Sequence, residues 1–220
     1  MSVFDSLSQA ERARQLANPE GEVGLAVAEW MVEVNRQANG RIVRLLGIEP
    51  GNQVLEIGFG SGRTAPEVVA QAEGVRYAGI DISQTMVDEA NRFNADLVTT
   101  GRASFHLGSA EQMPFAAGTF DRAFSLGVVH FWAEPVEPLR EVHRVMRPGG
   151  LSLMGCLHPK SVPDFAKGDH GFYLRDAEAW EAVYRSAGFA DPKAEEIVAE
   201  LTAPDGSPVT RVTFLIAARA

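Results

Sequence analysis

The chain has 220 residues, of which 45% are hydrophobic and 22% charged; this is ordinary globular usage and enough chain for one domain with a full core. Its net charge of −9, without a Lys/Arg-rich run, argues against nucleic acid as a partner, because phosphate neutralisation dominates that affinity. The single cysteine, Cys156, excludes an internal disulfide and a multi-cysteine metal site. No basic segment followed by an apolar core opens the sequence, and no apolar run could span a bilayer, so the expectation is a soluble cytoplasmic protein with no membrane contact.

Ser8 to Ala17 reads as a short helix stopped by Pro19. Val27, Met31, Val34 and Ala38 recur at helical spacing, which predicts an amphipathic helix over Gly24 to Ala38. Asn39-Gly40 is expected to interrupt it, with Arg41 to Leu46 continuing helically as far as Gly47. Strands follow at Val54 to Ile57, Val75 to Ile80, Ala103 to Leu107, Phe120 to Leu126 and Leu151 to Leu157. Helices are expected between them at Thr64 to Ala72, from a Ser83 cap to about Ala95, and at Pro135 to Met146. Arg147-Pro148-Gly149-Gly150 should turn the chain into the fifth strand. A looser stretch, His158 to Arg175, precedes a helix over Asp176 to Ala187 that stops at Gly188. Glu195 to Leu201 and Val209 to Ala218 alternate as strands around a turn at Pro204-Asp205-Gly206. No internal repeat or low-complexity segment is present.

The stretch Val54-Leu55-Glu56-Ile57-Gly58-Phe59-Gly60-Ser61-Gly62 organises the rest. It reads as a buried strand running into a glycine turn on which a ligand can lie against the main chain. The helix behind it aims its free N–H groups at the same place. A dinucleotide fingerprint would put its third glycine at position 63, where Arg63 stands; the pattern is G-x-G-x-G, with an acid two residues before the first glycine. The second strand ends in Asp81, nineteen residues past Gly62, where a carboxylate can accept from both hydroxyls of a ribose. Leu107 to Phe115 would border the same crevice.

In this order and spacing VLEIGFGSG, GIDIS, GSAEQMPF, FDRAFSLGVVHF and EVHRVMRPGG resemble the class I S-adenosylmethionine-dependent methyltransferases. They look most like the branch of ubiquinone/menaquinone-biosynthesis-type and other small-molecule methyltransferases. The resemblance covers about residues 40 to 220. It implies a Rossmann-like α/β fold: a seven-stranded, mostly parallel sheet with the last strand antiparallel, helices on both faces and extra N-terminal helices. Residues 1–40 would form a helical cap or lid and 41–220 the cofactor-binding domain. The implied cofactor is S-adenosylmethionine, with S-adenosylhomocysteine as product. Gly58, Gly60 and Gly62 would lie under its methionine part and ribose, Glu56 would face the methionine amino group, and Asp81 would hold the ribose hydroxyls. Ile82 would pack on the adenine, Ser109, Ala110 and Glu111 would border it, and Leu126 would offer backbone near the sulfonium. The family often carries Asp where Ser109 stands; serine still accepts a hydrogen bond, but without a charge.

Methyl transfer is an in-line displacement that asks mainly for alignment, which can supply roughly 7–11 kcal/mol of barrier reduction. A base is needed only where the acceptor loses a proton. His130, in the loop after the fourth strand, is the best candidate, with His158 after the fifth as a second. Met31, Asn35, Phe131 and Tyr173, with Trp30, are candidate acceptor-pocket residues, and the aromatics hint at a partly apolar acceptor. The five histidines show no metal-ligand spacing. Acceptor and oligomeric state are not legible. A non-catalytic S-adenosylmethionine-binding module and an NAD-dependent oxidoreductase stand as alternatives; Arg63 and the Ser109–Phe115 segment count against the latter.

Overall fold

The computed structural model describes residues 3–162, 166, 170–202 and 208–220. The turn expected at Pro204-Asp205-Gly206 lies outside the described residues. Seven strands form one sheet: β1 (Gln53–Ile57), β2 (Arg76–Asp81), β3 (Ala103–Leu107), β4 (Phe120–Leu126), β5 (Met146–Leu157), β6 (Ala190–Thr202) and β7 (Pro208–Arg219). Their spatial order is β3-β2-β1-β4-β5-β7-β6. The strands β1 to β5 pair in parallel, and β7 runs antiparallel to both its neighbours. The helices are α1 (Val3–Ser6), α2 (Gln9–Ala17), α3 (Gly21–Leu45), α4 (Ala65–Val69), α5 (Gln84–Phe93), α6 (Ala95–Thr99), α7 (Val136–Val145) and α8 (Ala177–Ser186). Among the described residues no helix is long and apolar enough to cross a membrane.

The near-continuous apolar strands follow from burial of both sheet faces. Alternate side chains feed two cores. Val54, Phe124, Leu153 and Leu215 pack with residues of α3, α4 and α5 on one face. Leu55, Ile57, Met154 and Ile216 pack with Leu139 and Val142 of α7 and Trp180 and Tyr184 of α8 on the other. Strand order reverses between β1 and β4, so their carboxyl ends flank the crevice where open α/β sheets take ligands.

Several element bounds differ from expectation for identifiable reasons. The helix α3 is not interrupted at Asn39-Gly40. Gly40 is buried against α4, where a Cβ would lie 3.4 Å from Arg44 Nη1 and 3.5 Å from Glu67 Oε1. The cap boundary expected at residue 40 therefore falls inside one continuous helix. The Arg147–Gly150 turn is absorbed into β5 as an irregularity: Met146 pairs with Phe120, the register shifts before Arg122, and Gly149 N–H donates to the Ala220 carbonyl at 2.7 Å. The strand β6 starts at Ala190, ahead of its expected start. At the N-terminus, Ser8 and Glu11 close a capping box on α2, the Ser8 Oγ accepting from Glu11 N–H at 3.3 Å and Glu11 Oε2 accepting from Ser8 N–H at 3.1 Å.

Phe124 is fully buried at the centre of the α3/α4/α5 face. Its truncation to alanine is expected to cost about 3–5 kcal/mol by lost transfer energy and a residual cavity. Urea unfolding checks this: the midpoint should fall with the slope unchanged, and a loss below 1 kcal/mol would contradict the packing described.

Candidate functional site

The site starts where β1 stops. Gly58, Gly60 and Gly62 take φ of 67°, 57° and 71°, left-handed backbone that only glycine adopts without strain. Gly58 N–H donates to the Ile80 carbonyl at 2.8 Å, which pins the turn to the end of β2. Around Gly60 nothing stands within 4 Å of where a Cβ would be, so its backbone faces open space. Gly62 faces the other way. A Cβ there would come 2.7 Å from Ala90 Cβ and 2.9 Å from Asn94 Nδ2, both on the α5 side. Gly62 thus lets the turn settle on α5, and it does not line the cavity as expected.

Asp81 closes the turn from β2. One carboxylate oxygen accepts from Gly60 N–H at 2.9 Å and the other from Ser83 N–H at 2.9 Å. Ser83 caps α5 through its hydroxyl, which accepts from Met86 N–H at 3.2 Å and donates to the Pro19 carbonyl. Gly21 N–H donates to Thr85 Oγ1 at 3.1 Å. These bonds fasten the α2–α3 turn beside Asp81. Beneath the glycine turn Glu56 is buried and accepts from the Tyr77 hydroxyl at 2.7 Å. Burial pushes the Glu56 carboxyl up to about 8, the Tyr77 hydrogen bond opposing and the nearby Asp81 charge adding to the rise. Burial also raises the Asp81 carboxyl, against the backbone N–H groups that favour its charged form.

A cavity of about 380 Å³ opens over this floor, within the range of small-ligand sites. Glu56, Gly58, Gly60, Asp81 and Ile82 line it from the first two strand ends. Ser109, Ala110 and Glu111 line it from the loop after β3, and Leu126 from the end of β4. Of the acceptor candidates, Met31 and Asn35 on α3 and Phe131 after β4 reach it.

His130, His158 and Tyr173 do not line it. Val129–Phe131 is a 3-10 turn, and residues one turn apart share a face, so Val128 and Phe131 look into the cavity while His130 is rotated away. The His130 ring is buried, stacks on Phe172 at 5.6 Å, and its Nδ1 accepts from Leu157 N–H at 3.4 Å. His158 is buried against Phe214 at 4.3 Å, with Nε2 3.0 Å from Glu196 Oε1. Tyr173 points to solvent, and its N–H donates to the His130 carbonyl at 2.7 Å. Trp30 is occupied by a stack on Phe4 at 4.1 Å.

The sequence reading missed the part of the wall made by Gln15, Leu16, Ala17 and Pro19, and it missed Asn39. Asn39 stands two turns beyond Met31 and was findable from the helical stripe, had the helix not been expected to break there. It also missed Arg63 as a lining residue. This guanidinium pairs with Glu89 at 3.0 Å and lies over the Phe93 ring at 3.7 Å.

Comparison with known proteins agrees with this geometry. Residues 55–154 match the model of a methyltransferase domain. In fold that span is similar to the class I S-adenosylmethionine-dependent methyltransferase domains. The chain is 29% identical over 185 residues to a 27-O-demethylrifamycin SV methyltransferase of Amycolatopsis mediterranei, covering 78% of this chain and 66% of that one. It spans 63%, 52% and 44% of the lengths of three further curated methyltransferases that it matches. Among solved structures, a Haloferax volcanii putative methyltransferase in complex with its Trm112 activator superposes with a TM-score of 0.70 at 19% identity, covering 89% of this chain and 93% of that one. A Haemonchus contortus phosphoethanolamine N-methyltransferase 2, solved with S-adenosylhomocysteine, superposes with a TM-score of 0.67 at 17% identity, covering 83% and 52%. S-adenosylmethionine is thus the cofactor of this kind of domain. The site fits it: open backbone at Gly60, and an anchored carboxylate at Asp81 whose oxygens keep lone pairs for a diol.

Two predictions follow from the floor. Gly62→Ala should lower the unfolding free energy, read by urea, by about 2–5 kcal/mol through strain and overpacking together. Gly60→Ala should cost only the strain, about 1–2 kcal/mol, and should weaken S-adenosylhomocysteine binding more than Gly62→Ala does; the reverse ranking would refute the two orientations. In the ligand-free protein, stability should fall as pH rises from about 4.5 to about 8. The folded form holds the Glu56 proton more tightly than the unfolded chain, so the loss is absent below that window and complete above it. The slope is bounded at ~1.4 kcal/mol per pH unit for one group. Glu56→Gln keeps an acceptor for Tyr77 and should flatten it in unfolding measured from pH 5 to 8.

Proposed function

We propose that this protein transfers a methyl group from S-adenosylmethionine to a small-molecule acceptor at oxygen, nitrogen or carbon. The observation that carries the reading is Asp81, clasped by the Gly60 and Ser83 N–H groups at the cavity floor, in register with the glycine turn. The kinship of residues 55–154 and the small-molecule methyltransferases among the relatives support it.

In this reading Asp81 holds the ribose diol, the Gly58 and Gly60 backbone carries the methionine part, and Glu56 answers its ammonium. Ile82 and Ser109 to Glu111 bound the adenine, and Leu126 borders the sulfonium. When bound, S-adenosylmethionine supplies a methyl group on a positively charged sulfur, which leaves to an attacking electron pair while the C–S electrons stay on sulfur as S-adenosylhomocysteine. The chain's own part is to align acceptor and methyl and to exclude water. Among the described lining residues there is no histidine, so a proton lost by the acceptor goes to solvent or to a carboxylate. The helix α2 and the first turns of α3 act as a cap, supported by the lining residues of the α2–α3 turn and its bonds to Ser83 and Thr85.

Calorimetric titration tests the reading. Wild-type protein should bind S-adenosylmethionine and not NAD. Asp81→Ala should weaken binding by about 10- to 100-fold, the worth of roughly 1.5–3 kcal/mol in charge-assisted hydrogen bonds. A preference for NAD would overturn the cofactor. Binding with no methyl release to any acceptor in a broad metabolite panel would favour a non-catalytic binding module.

A further inference from the structure

The glycine turn offers an anion fewer donors than its shape suggests. Gly58 N–H donates to the Ile80 carbonyl at 2.8 Å, Gly60 N–H to Asp81 at 2.9 Å and Gly62 N–H to the Phe59 carbonyl at 3.1 Å, so these donors are spent within the protein. The carboxylates of Glu56, Asp81 and Glu111 line the same cavity, and among the described lining residues the one basic side chain is Arg63. A dinucleotide fingerprint keeps a glycine at this position for close helix packing; here the position brings a charge. Arg63 Nη2 donates to Glu89 Oε1 at 3.0 Å, and the guanidinium lies over the Phe93 ring at 3.7 Å. Glu89 is not held by Arg63 alone, because Arg92 donates to both of its oxygens at 2.8 Å. Two guanidinium groups thus share one carboxylate, which leaves an unneutralised positive charge at this corner. The Arg92 side chain is 71% exposed and its charge is solvated, whereas the half-buried Arg63 lines the cavity.

We propose, resting on the methyltransferase reading above, that Arg63 binds the carboxylate of the cofactor's methionine part, so that Glu56 and Arg63 together recognise an α-amino acid. The ammonium and carboxylate of an amino acid sit on one carbon, so an acid and a base must border one end of the cavity. Glu56 and Arg63 flank the glycine turn, and the Thr64 hydroxyl, on the residue next to Arg63, bears on the Glu56 carboxyl. A carboxylate brought beside the lining acids would lose its hydration without compensation unless a cation met it. A guanidinium offers a planar fork of N–H donors that matches a carboxylate, and Arg63 makes one hydrogen bond among the described residues, so donors remain. Glu89 and the Phe93 ring hold that fork in place, which lowers the cost of ordering it when a ligand arrives.

The test compares two ligands on the full chain by calorimetry: S-adenosylhomocysteine, and the same thioether with its carboxylate replaced by hydrogen. Wild-type protein should bind S-adenosylhomocysteine more tightly by about tenfold or more, the worth of a charge-assisted hydrogen bond. Arg63→Gln should weaken S-adenosylhomocysteine by a similar factor and leave the decarboxylated ligand within about threefold of wild type, so that the preference collapses. Both ligands are compared within one protein, so a general loosening of the site lowers both affinities and leaves their ratio unchanged. Thermal melts show whether the variant is folded; if it is not, Arg63→Met, which keeps an apolar stem over the Phe93 ring, decides in its place. Equal binding of the two ligands by wild-type protein, or a preference that survives in the folded variant, would overturn the proposal. Failure of wild-type protein to bind S-adenosylhomocysteine at all would instead overturn the cofactor reading on which it rests.

Discussion

The structure turns on one buried carboxylate. Burying an anion costs several kcal/mol unless its oxygens are answered. At Asp81 they are answered by two backbone N–H groups from different parts of the chain, Gly60 on the glycine turn and Ser83 at the start of α5. Ser83 in turn holds the Pro19 carbonyl. One side chain at the end of β2 thus fixes the turn after β1, the start of α5 and the loop between α2 and α3. The cavity floor and the edge of its N-terminal wall are set by a single hydrogen-bonded cluster rather than by independent loops.

The opposite wall is held differently. The helix α3 has 25 residues and serves two purposes along its length. Its last turns are core: Ile42, Val43 and Leu46 are buried against the sheet, and Arg122 caps the end by donating to the Leu46 and Gly47 carbonyls at 2.7 and 2.9 Å. Its earlier turns carry Met31, Asn35 and Asn39 over the cavity. Because the helix is continuous, packing at one end sets the position of the lining residues at the other. A helix broken at Gly40 would have left the wall free of the core. Gly40 instead stays helical, and the roughly 1 kcal/mol that glycine costs in a helix is not enough to break it there.

These differences also explain what the sequence could disclose. The strands and the glycine turn were legible because strands buried on both faces are continuous apolar runs, and because Gly58, Gly60 and Asp81 stand at spacings that only a strand–turn–helix–strand unit makes useful. The helix α8, expected over Asp176 to Ala187, was legible from its stop at Gly188, while Asp176 proves to be its N-cap and not its first residue. His130 was placed in the right loop, but a one-residue rotation within a 3-10 turn decides whether a side chain faces the cavity or the interior, and no periodicity in so short a segment reveals it. Gly62 belonged to the right motif, yet whether its missing Cβ makes room for a ligand or for Ala90 depends on where α5 lies. The lining by Gln15 to Pro19 depends on the Pro19–Ser83 bond, a contact across 64 positions that local pattern cannot carry.

The floor also shows why a stable ligand-free site is not what this arrangement favours. Glu56 and Asp81 are both buried acids whose carboxyls burial pushes up, and the Asp81 charge makes Glu56 harder still to ionise. In a structural core such a pair would be replaced by apolar groups at little cost or with a gain. Here Glu56 is supported from below by Tyr77 while its other side meets the cavity. A carboxyl raised to about 8 is largely protonated at neutral pH, so a cation arriving above it favours release of that proton and gains a full charge to pair with. On the proposed reading, a positively charged group above Glu56 recovers part of that cost, and a neutral molecule of the same shape does not.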